Sequence, residues 1–451
     1  VIAFLQSFAE QLRLEALVDE AGNLIVRKAA TPGMESRKGV VMQGHVDMVP
    51  QKNRGTQHDF NVDPIEAHVD GDWVTARGTT LGADNGMGVA AIMGVLESTT
   101  LRHGPLEALF TIDEETGMAG AKGLPAGLLQ GKILLNTDSE DEGELYIGCA
   151  GGVDTNIIFP AQLAQVPAAS VAFQVGVKGL RGGHSGMDIH LERGNACLII
   201  NALLQEAGEA FGLRLASIDA GSLRNAIPRE DFACVVLPAT EQEAFVAFVA
   251  RAAARAASVA EPDLVVSCEA TDMPRYCLDL EVQKSLCETV QNCPNGVISW
   301  DEGMAGSVAT SSNLASIKSV DKQVRLECLT RSAVDAERDA VAHQIGRLFR
   351  SHNAQVVHEG AYPGWRPNAR SEIVSIMKQV YFNEFGKTPE VKVVHAGLEC
   401  GILGAQYHDW EMISFGPTIR SPHSPDERVN IDSVGRFWRF LVATLEQIPA
   451  R

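Results

Sequence analysis

Asp47 stands two residues after His45, Glu114 and Glu115 are adjacent, and Asp84 lies within Gly82-Ala83-Asp84-Asn85-Gly86. Asp138 follows Asn136-Thr137, and His423 stands between prolines in Ser421-Pro422-His423-Ser424-Pro425. Imidazole together with carboxylate is a ligand set that favours zinc, with manganese or cobalt as substitutes. Two such ions about 3.5–4 Å apart need a bridging carboxylate and a bridging water. Asp84 is the natural bridge. His45 and Asp138 then complete one site, and Glu115 and His423 the other. Asp47 is expected to orient the His45 imidazole, because such a partner fixes the tautomer and raises ligand basicity. Glu114 stays free as a general base that takes a proton from an activated water and hands it to a leaving group. The chemistry is hydrolysis near neutral pH, since an ion can bring the pKa of water to about 7.

Each piece has a bland reading. A His-x-Asp pair is commonly an ordinary hydrogen-bonded pair, adjacent glutamates a solvated loop, and a histidine between prolines a rigid surface turn. Residues 78–88 are rich in glycine, but they lack both the Gly-Lys-Ser/Thr ending and the Gly-x-Gly-x-x-Gly spacing of phosphate loops. The weight comes from the elements that must carry these residues. Short apolar runs predict strands at Val40–Gln43, Leu106–Ile112 and Lys132–Asn136, with a helix at Gly88–Leu96 between the first two. Further strands are expected at Val391–Val394 and Glu411–Ser414, and a closing helix at Ile431–Gln447. Every candidate ligand other than Asp84 lies in the segment that follows the end of one of these strands, His423 in the loop after Ser414. In an open α/β sheet those ends gather at one edge, where sites are built.

The middle of the chain reads differently. Strands are expected at Val171–Val177, Arg214–Ala220, Asp231–Val236 and Leu264–Ala270, with helices at Arg193–Ala207 and Glu241–Val259. A comparable series follows, with helices at Glu281–Gln291 and Ala333–Phe349 and strands near Val297–Trp300, Ala315–Val320 and Gln323–Cys328. The expectation is an α/β protein. Its mostly parallel-sheet catalytic domain comprises residues 1–154 and 363–451, and residues 155–362 form an inserted α+β lid, hinting at a duplicated unit.

Lys plus Arg is 38 against 57 for Asp plus Glu, a formal charge of −19. That excludes the basic footprint of nucleic-acid binding and argues against anionic membranes. The nine cysteines form no CxxC pairs, which argues against a disulfide framework or thiolate zinc site and for buried thiols in a reducing cytoplasm. No apolar run is long enough to span a membrane, and charges interrupt the first apolar positions, unlike a signal peptide. The chain opens at Val1 directly in a helical pattern, so a leading segment is expected to precede it.

Longer stretches now carry a resemblance. HVDMVPQKNRGTQHDFNVDPI from His45, then WVTARGTTLGADNGMGVAAI, TIDEETGMAGA, NTDSED, GLRGGHSGMDIHLERGNA, GSLRNAIPRE, YPGWRPN, HAGLECGIL and SPHSPDERV, together resemble the aminoacylhistidine (Xaa-His) dipeptidases of the di-zinc exopeptidase and deacylase group. The resemblance covers nearly the whole chain. It implies the di-zinc exopeptidase fold and the same ligand sets: His45, Asp84 and Asp138 around one zinc, and Asp84, Glu115 and His423 around the other. It also implies Asp47 as the orienting residue and Glu114 as the base. It adds the lid residue His184, in Arg181-Gly182-Gly183-His184-Ser185, as support for the tetrahedral oxyanion. Asn225 and Arg331 match lid positions that hold a substrate carboxylate, for which the planar guanidinium fork is suited. Without the resemblance, His184 reads as an idle turn residue and Arg331 as a surface residue at a helix start. Glu399 is expected near the site, facing the substrate amine. Cys400 lacks histidine and asparagine partners in sequence and reads as packing.

The resulting expectation is a cytoplasmic, homodimeric dipeptidase. It would use two zinc ions and a bridging hydroxide to cleave unblocked dipeptides, β-alanyl-histidine among them. A deacylase of N-acyl amino acids is the nearest alternative. A scaffold without activity and a phosphoester hydrolase stand further off, the latter because no basic phosphate clamp is evident.

Overall fold

The computed structural model describes residues 1–256 and 261–451. It divides into two compact units. One comprises Val1–Cys149, Trp365–Val394 and Leu398–Arg451, and the other Ala150–Gly364 with His395–Gly397. The expected boundary at 155 falls inside the strand Gly151–Pro160, which pairs along its length with Gln323–Ser332.

In the first unit an eight-stranded sheet runs in the order 15–18, 24–28, 106–111, 40–45, 133–136, 411–414, 144–149, 390–394. Its centre is parallel: Val40–His45 pairs in parallel with Leu106–Thr111 and with Ile133–Asn136, and Ile133–Asn136 with Glu411–Ser414. These strands are apolar and buried on both faces, as parallel strands covered by crossover helices must be. The register brings their carboxyl ends level. His45 lies opposite Thr111, Gln43 opposite Asn136, and Asn136 opposite Ser414. The expected strands recur to within two residues, Val40–Gln43 running on to His45, but the antiparallel strands Glu15–Val18 and Leu24–Lys28, which extend one edge after the expected N-terminal helix, and the strand Glu144–Cys149 were not anticipated.

The helix expected at Gly88–Leu96 spans Ala83–Glu97 and includes Asp84. Asp84 and Asn85 keep non-helical backbone angles within it, and their peptide bond is cis. Gly88 is where this helix meets the loop after Ile133–Asn136. A Cβ there would fall on Thr137 Oγ1 and Asn85 Oδ1, so only glycine lets the helix sit this low.

In the second unit a nine-stranded sheet has its main path in the order 265–270, 170–178, 231–238, 214–221, 308–320, 323–332, 151–160, 355–362, with 296–300 paired to 308–320. The two series of elements in the sequence therefore share one sheet. The helix Ala196–Phe211 buries Cys197, Ile200, Leu203, Leu204 and Ala207, one stripe of a 3.6-residue period. Asn195 caps it by accepting from the Cys197 N–H at 2.9 Å. The strand Val308–Val320 begins seven residues before the expected Ala315 because its first half, Val-Ala-Thr-Ser-Ser-Asn-Leu, is polar yet paired on both sides and buried. The helix expected at Glu241–Val259 spans Gln242–Ala256, and the rest of that stretch lies outside the described residues. Among the described residues no helix is long and apolar enough to cross a membrane.

Two glycine substitutions separate packing from propensity. Gly88→Ala is expected to destabilise by about 1–3 kcal/mol through overpacking. Gly435→Ala, in the helix Ile431–Gln447 with nothing within 4 Å of the added Cβ, is expected to stabilise by roughly 0.5–1 kcal/mol. Thermal or urea melts of both variants check the opposite signs.

Candidate functional site

The level ends of the parallel strands gather the side chains singled out in the sequence. His45 is the last residue of its strand, Glu114 and Glu115 follow Thr111, Asp138 follows Asn136, and His423 lies in the segment after Ser414. Asp84 enters from the turn at Gly82, whose φ of +75° suits glycine. Asp113 and His423 themselves have φ of +53° and +59°, a region costly for side-chain-bearing residues and found where neighbours over-determine the backbone.

Asp84 stands between the two imidazoles. Its Oδ1 is 3.1 Å from His45 Nε2, and its Oδ2 is 3.1 Å from His423 Nε2. Asp138 Oδ1 is 3.1 Å from His45 Nε2, and Glu115 Oε1 is 2.9 Å from His423 Nε2. These last two oxygens are buried and accept no well-formed hydrogen bond, despite the nearby ring nitrogens. Their lone pairs are left for something other than a proton donor. The donor atoms of His45, Asp84 and Asp138 all lie within 4.8 Å of one another, as do those of Asp84, Glu115 and His423, and those of His45, Glu114 and Glu115. Imidazole and carboxylate donors at this spacing fit divalent cations of the zinc, manganese or cobalt type.

Asp47 does more than orient a ring. His45 Nδ1 donates to the Asp47 backbone carbonyl at 3.0 Å, which leaves the Nε2 lone pair toward Asp84 and Asp138. The Asp47 carboxylate, 3.5 Å from Nδ1, instead accepts the backbone N–H groups of Glu114 and Glu115, both at 3.1 Å. It holds the loop that carries those two glutamates.

Electrostatics reflect crowded acids in a desolvated pocket. Burial first, then the Asp138 charge, pushes Glu114 up to about 9, and burial raises Asp138 to about 6. Burial likewise raises Glu140, helped by Asp84 and Asp138, to about 8. Burial works against ionisation of Asp84, yet hydrogen bonds from His423 and His45 hold its carboxyl well below the usual range. Hydrogen bonds to Asp84 and Glu115 raise His423 to about 10. Burial alone would lower His45, but Asp138, Asp47 and Asp84 outweigh it and raise it. A bound cation would invert this pattern, favouring neutral imidazoles and ionised carboxylates.

Glu399 differs from the expectation that it faces a substrate amine. It is fully buried, and its Oε2 accepts from Gln43 Nε2 and from Thr111 Oγ1 at 2.6 Å. These bonds join the helix Glu399–Gln406 to Gln43 and Thr111 of the strands that carry the site. Helix formation at Glu399–Gln406 turns its first residue inward, which no periodicity announced. Cys400 is buried, as a packing residue would be.

In the second unit, His184 Nδ1 accepts the N–H groups of Gly186 and Met187 at 3.2 and 3.0 Å, so the ring proton resides on Nε2. Burial, then the Arg331 charge, lowers it to about 4, which keeps it neutral. Arg331 is no surface residue at a helix start. It lies on the strand Gln323–Ser332, 5% exposed, donates to the Tyr362 hydroxyl at 2.8 Å and leaves Nε without a partner. The Asn225 side chain is exposed, and its carbonyl accepts the Ser185 N–H at 2.7 Å. His395 belongs to this unit and bonds Ser311 Oγ at 2.7 Å through Nε2. Burial and Arg331 lower it to about 3. It is a residue that spacing gave no means to single out. Glu427 was also overlooked, although it follows His423 by only four residues. It is 2% exposed and accepts backbone N–H groups of Leu81, Gly82, Ala83 and Asp84.

The chain is 43% identical over 436 residues to the cytosol non-specific dipeptidase of Escherichia coli (strain K12), covering 96% of this chain and 90% of that protein. A crystal structure of aminoacylhistidine dipeptidase from Vibrio alginolyticus superposes with a TM-score of 0.91 at 45% identity, covering 100% of this chain and 92% of the other. Aminopeptidase PepT from Bacillus cereus ATCC 10987 shares the fold, with a TM-score of 0.57 at 15% identity over 99% of this chain and 92% of the other. Residues 41–447, which contain every ligand candidate named above, match peptidase family M20/M25/M40, and the chain belongs to that family.

Proposed function

We propose that this chain is a metal-dependent dipeptidase that uses two divalent cations, zinc with manganese or cobalt as substitutes, to hydrolyse unblocked dipeptides. Xaa-His substrates such as β-alanyl-histidine are included within a broader range. The observation that carries the reading is the pair of donor triads sharing Asp84, with Glu114 beside them. Two relatives that the chain covers almost completely are named as dipeptidases. The orphaned oxygens of Glu115 and Asp138 fit cations better than protein donors.

The ions would supply Lewis-acid pull on the scissile carbonyl and make a water acidic enough to attack near neutral pH. His45 and Asp138 would hold one ion, Glu115 and His423 the other, with one oxygen of Asp84 toward each. Glu114 takes the proton of the attacking water on its carboxylate and returns it to the leaving amine. For that it must be ionised, and cations beside it would draw its pKa down from about 9. Asp47 keeps Glu114 in register by holding the backbone of the loop. The inserted unit offers a neutral Nε2–H on His184, the form an oxyanion donor requires, and the buried guanidinium of Arg331 suits a substrate carboxylate. Asn225 is a further candidate on that unit. The E. coli relative's name and the nine free cysteines support a cytosolic enzyme. A homodimer is the proposed assembly, to be checked by light scattering.

Metal-stripped protein is expected to be inactive on β-Ala-His and neutral dipeptides and to regain activity with zinc, manganese or cobalt. Glu114→Gln should lower kcat by about 10²–10⁴-fold while leaving metal content unchanged. Turnover by Glu114→Gln equal to wild type would sink the mechanism. N-acyl amino acids discriminate the alternative: turnover of acetyl or succinyl amino acids, with none of dipeptides, would make the protein a deacylase. Thermal melts give a reading independent of activity. Added zinc should raise the Tm of the metal-stripped wild type, and much less that of Asp84→Asn.

A further inference from the structure

We propose that Glu427 is the positioning residue that sets Asp84 between the two cation sites and thereby governs affinity for both ions; this rests on the metallopeptidase reading above. Glu427 Oε2 accepts the N–H groups of Leu81 and Gly82 at 2.7 and 2.9 Å, and Oε1 accepts those of Ala83 and Asp84 at 2.8 and 3.2 Å. One carboxylate thus fixes four successive peptide groups ending at the bridging aspartate. These include the first residues of the helix Ala83–Glu97, whose opening N–H groups have no partner within the helix. Thr80 N–H to Gln51 O at 2.9 Å and Asn85 Nδ2 to Thr137 O at 2.6 Å tie the turn on either side, and Glu427 takes the N–H groups between them, where Gly82 is in the left-handed region and Asp84 departs from helical angles.

The clamp itself is anchored. The Glu427 N–H donates to Ser424 O at 3.0 Å, and its carbonyl accepts from Thr75 Oγ1 at 2.9 Å. Arg428–Asn430 then pair antiparallel with Trp73–Ala76. Glu427 and His423 share one short segment, so the same backbone that presents one imidazole also grips the turn presenting Asp84. Because Oδ1 of Asp84 faces His45 and Oδ2 faces His423, a shift of that turn disturbs both ion sites together. A carboxylate suits four N–H donors because both oxygens accept. An amide presents one acceptor oxygen and an NH2 group that can only donate, leaving part of the turn unpaired. Partners of this kind behind a ligand typically control metal affinity by 10–100-fold.

The test uses the full chain, metal-stripped and titrated with cobalt(II), read by visible absorption and equilibrium dialysis. Wild type is expected to take up two ions. Glu427→Gln should bind both at least tenfold more weakly and recover activity as cobalt is raised. Glu427→Asp, which keeps the charge but draws it back by one methylene, should weaken binding in the same direction. Glu107→Gln serves as the structural control: Glu107 is also buried and accepts two backbone N–H groups, of Gln130 and Gly131, outside the ligand set. It should lower the Tm while leaving the cobalt titration unchanged. Wild-type affinity for both ions in Glu427→Gln and Glu427→Asp, or loss confined to one ion, would overturn the clamp alone. Wild type that fails to take up two ions would overturn the metallopeptidase reading and the clamp with it.

Discussion

The first unit is organised around a charge problem: the carboxylates of Asp84, Glu114, Glu115 and Asp138 are drawn out of water at one edge of the sheet. Burying ionised groups without compensation is so unfavourable that they neutralise or acquire partners. Several lysines and arginines of this unit are paired with other carboxylates, as in Arg27–Glu107, Lys38–Glu411, Lys392–Glu144 and Arg436–Glu142. Within the donor triads the protein's own positive charge comes only from His45 and His423. The raised pKa values of Glu114, Asp138 and Glu140 express the resulting deficit. Cations of suitable coordination would relieve it, and the same crowding that is unfavourable without them would bind them tightly.

Holding such a cluster requires rigid support. The parallel register of Val40–His45, Leu106–Thr111, Ile133–Asn136 and Glu411–Ser414 supplies it, because strand ends fixed by ladder hydrogen bonds cannot drift independently. Beyond the strands, the loops are tied by carboxylates that accept backbone N–H groups: Asp47 for residues 114–115 and Glu427 for residues 81–84. Acidic residues here thus serve in two ways. Some present lone pairs toward a shared centre, and others shape the chain so that those lone pairs converge. A site whose supporting shell was loose by an ångström would lose much of its preorganisation.

The second unit solves a different problem with a different sheet. Its antiparallel strands form a broad surface over an apolar core, and the polar groups proposed to meet a substrate are few. His184 is held neutral with its proton on Nε2, and Arg331 lies buried against Tyr362. Neither state follows from residue type. Both depend on which atoms the fold sets alongside.

Much of the candidate site was legible in the residues because its candidate ligands stand beside strands with strong apolar runs. His45, Glu115 and Asp138 each sit within a few residues of such a run, so a parallel sheet must bring them to one edge. Asp84 and His423 were legible mainly through the longer motif resemblance, since the glycines around one and the prolines around the other read equally well as plain turns. The sheet edge at residues 15–28 and the polar half of Val308–Val320 were not, since short or hydroxyl-rich strands carry no clear period-two signal. Tertiary structure alone decided that Asp47 grips a loop as well as touching His45, that Glu399 is buried beneath Thr111, and that Glu427 reaches back to residues 81–84. The physical reason is range. Residue type and spacing determine which groups stand near a strand end, whereas the partner of a carboxylate hundreds of residues away is set only when the chain packs.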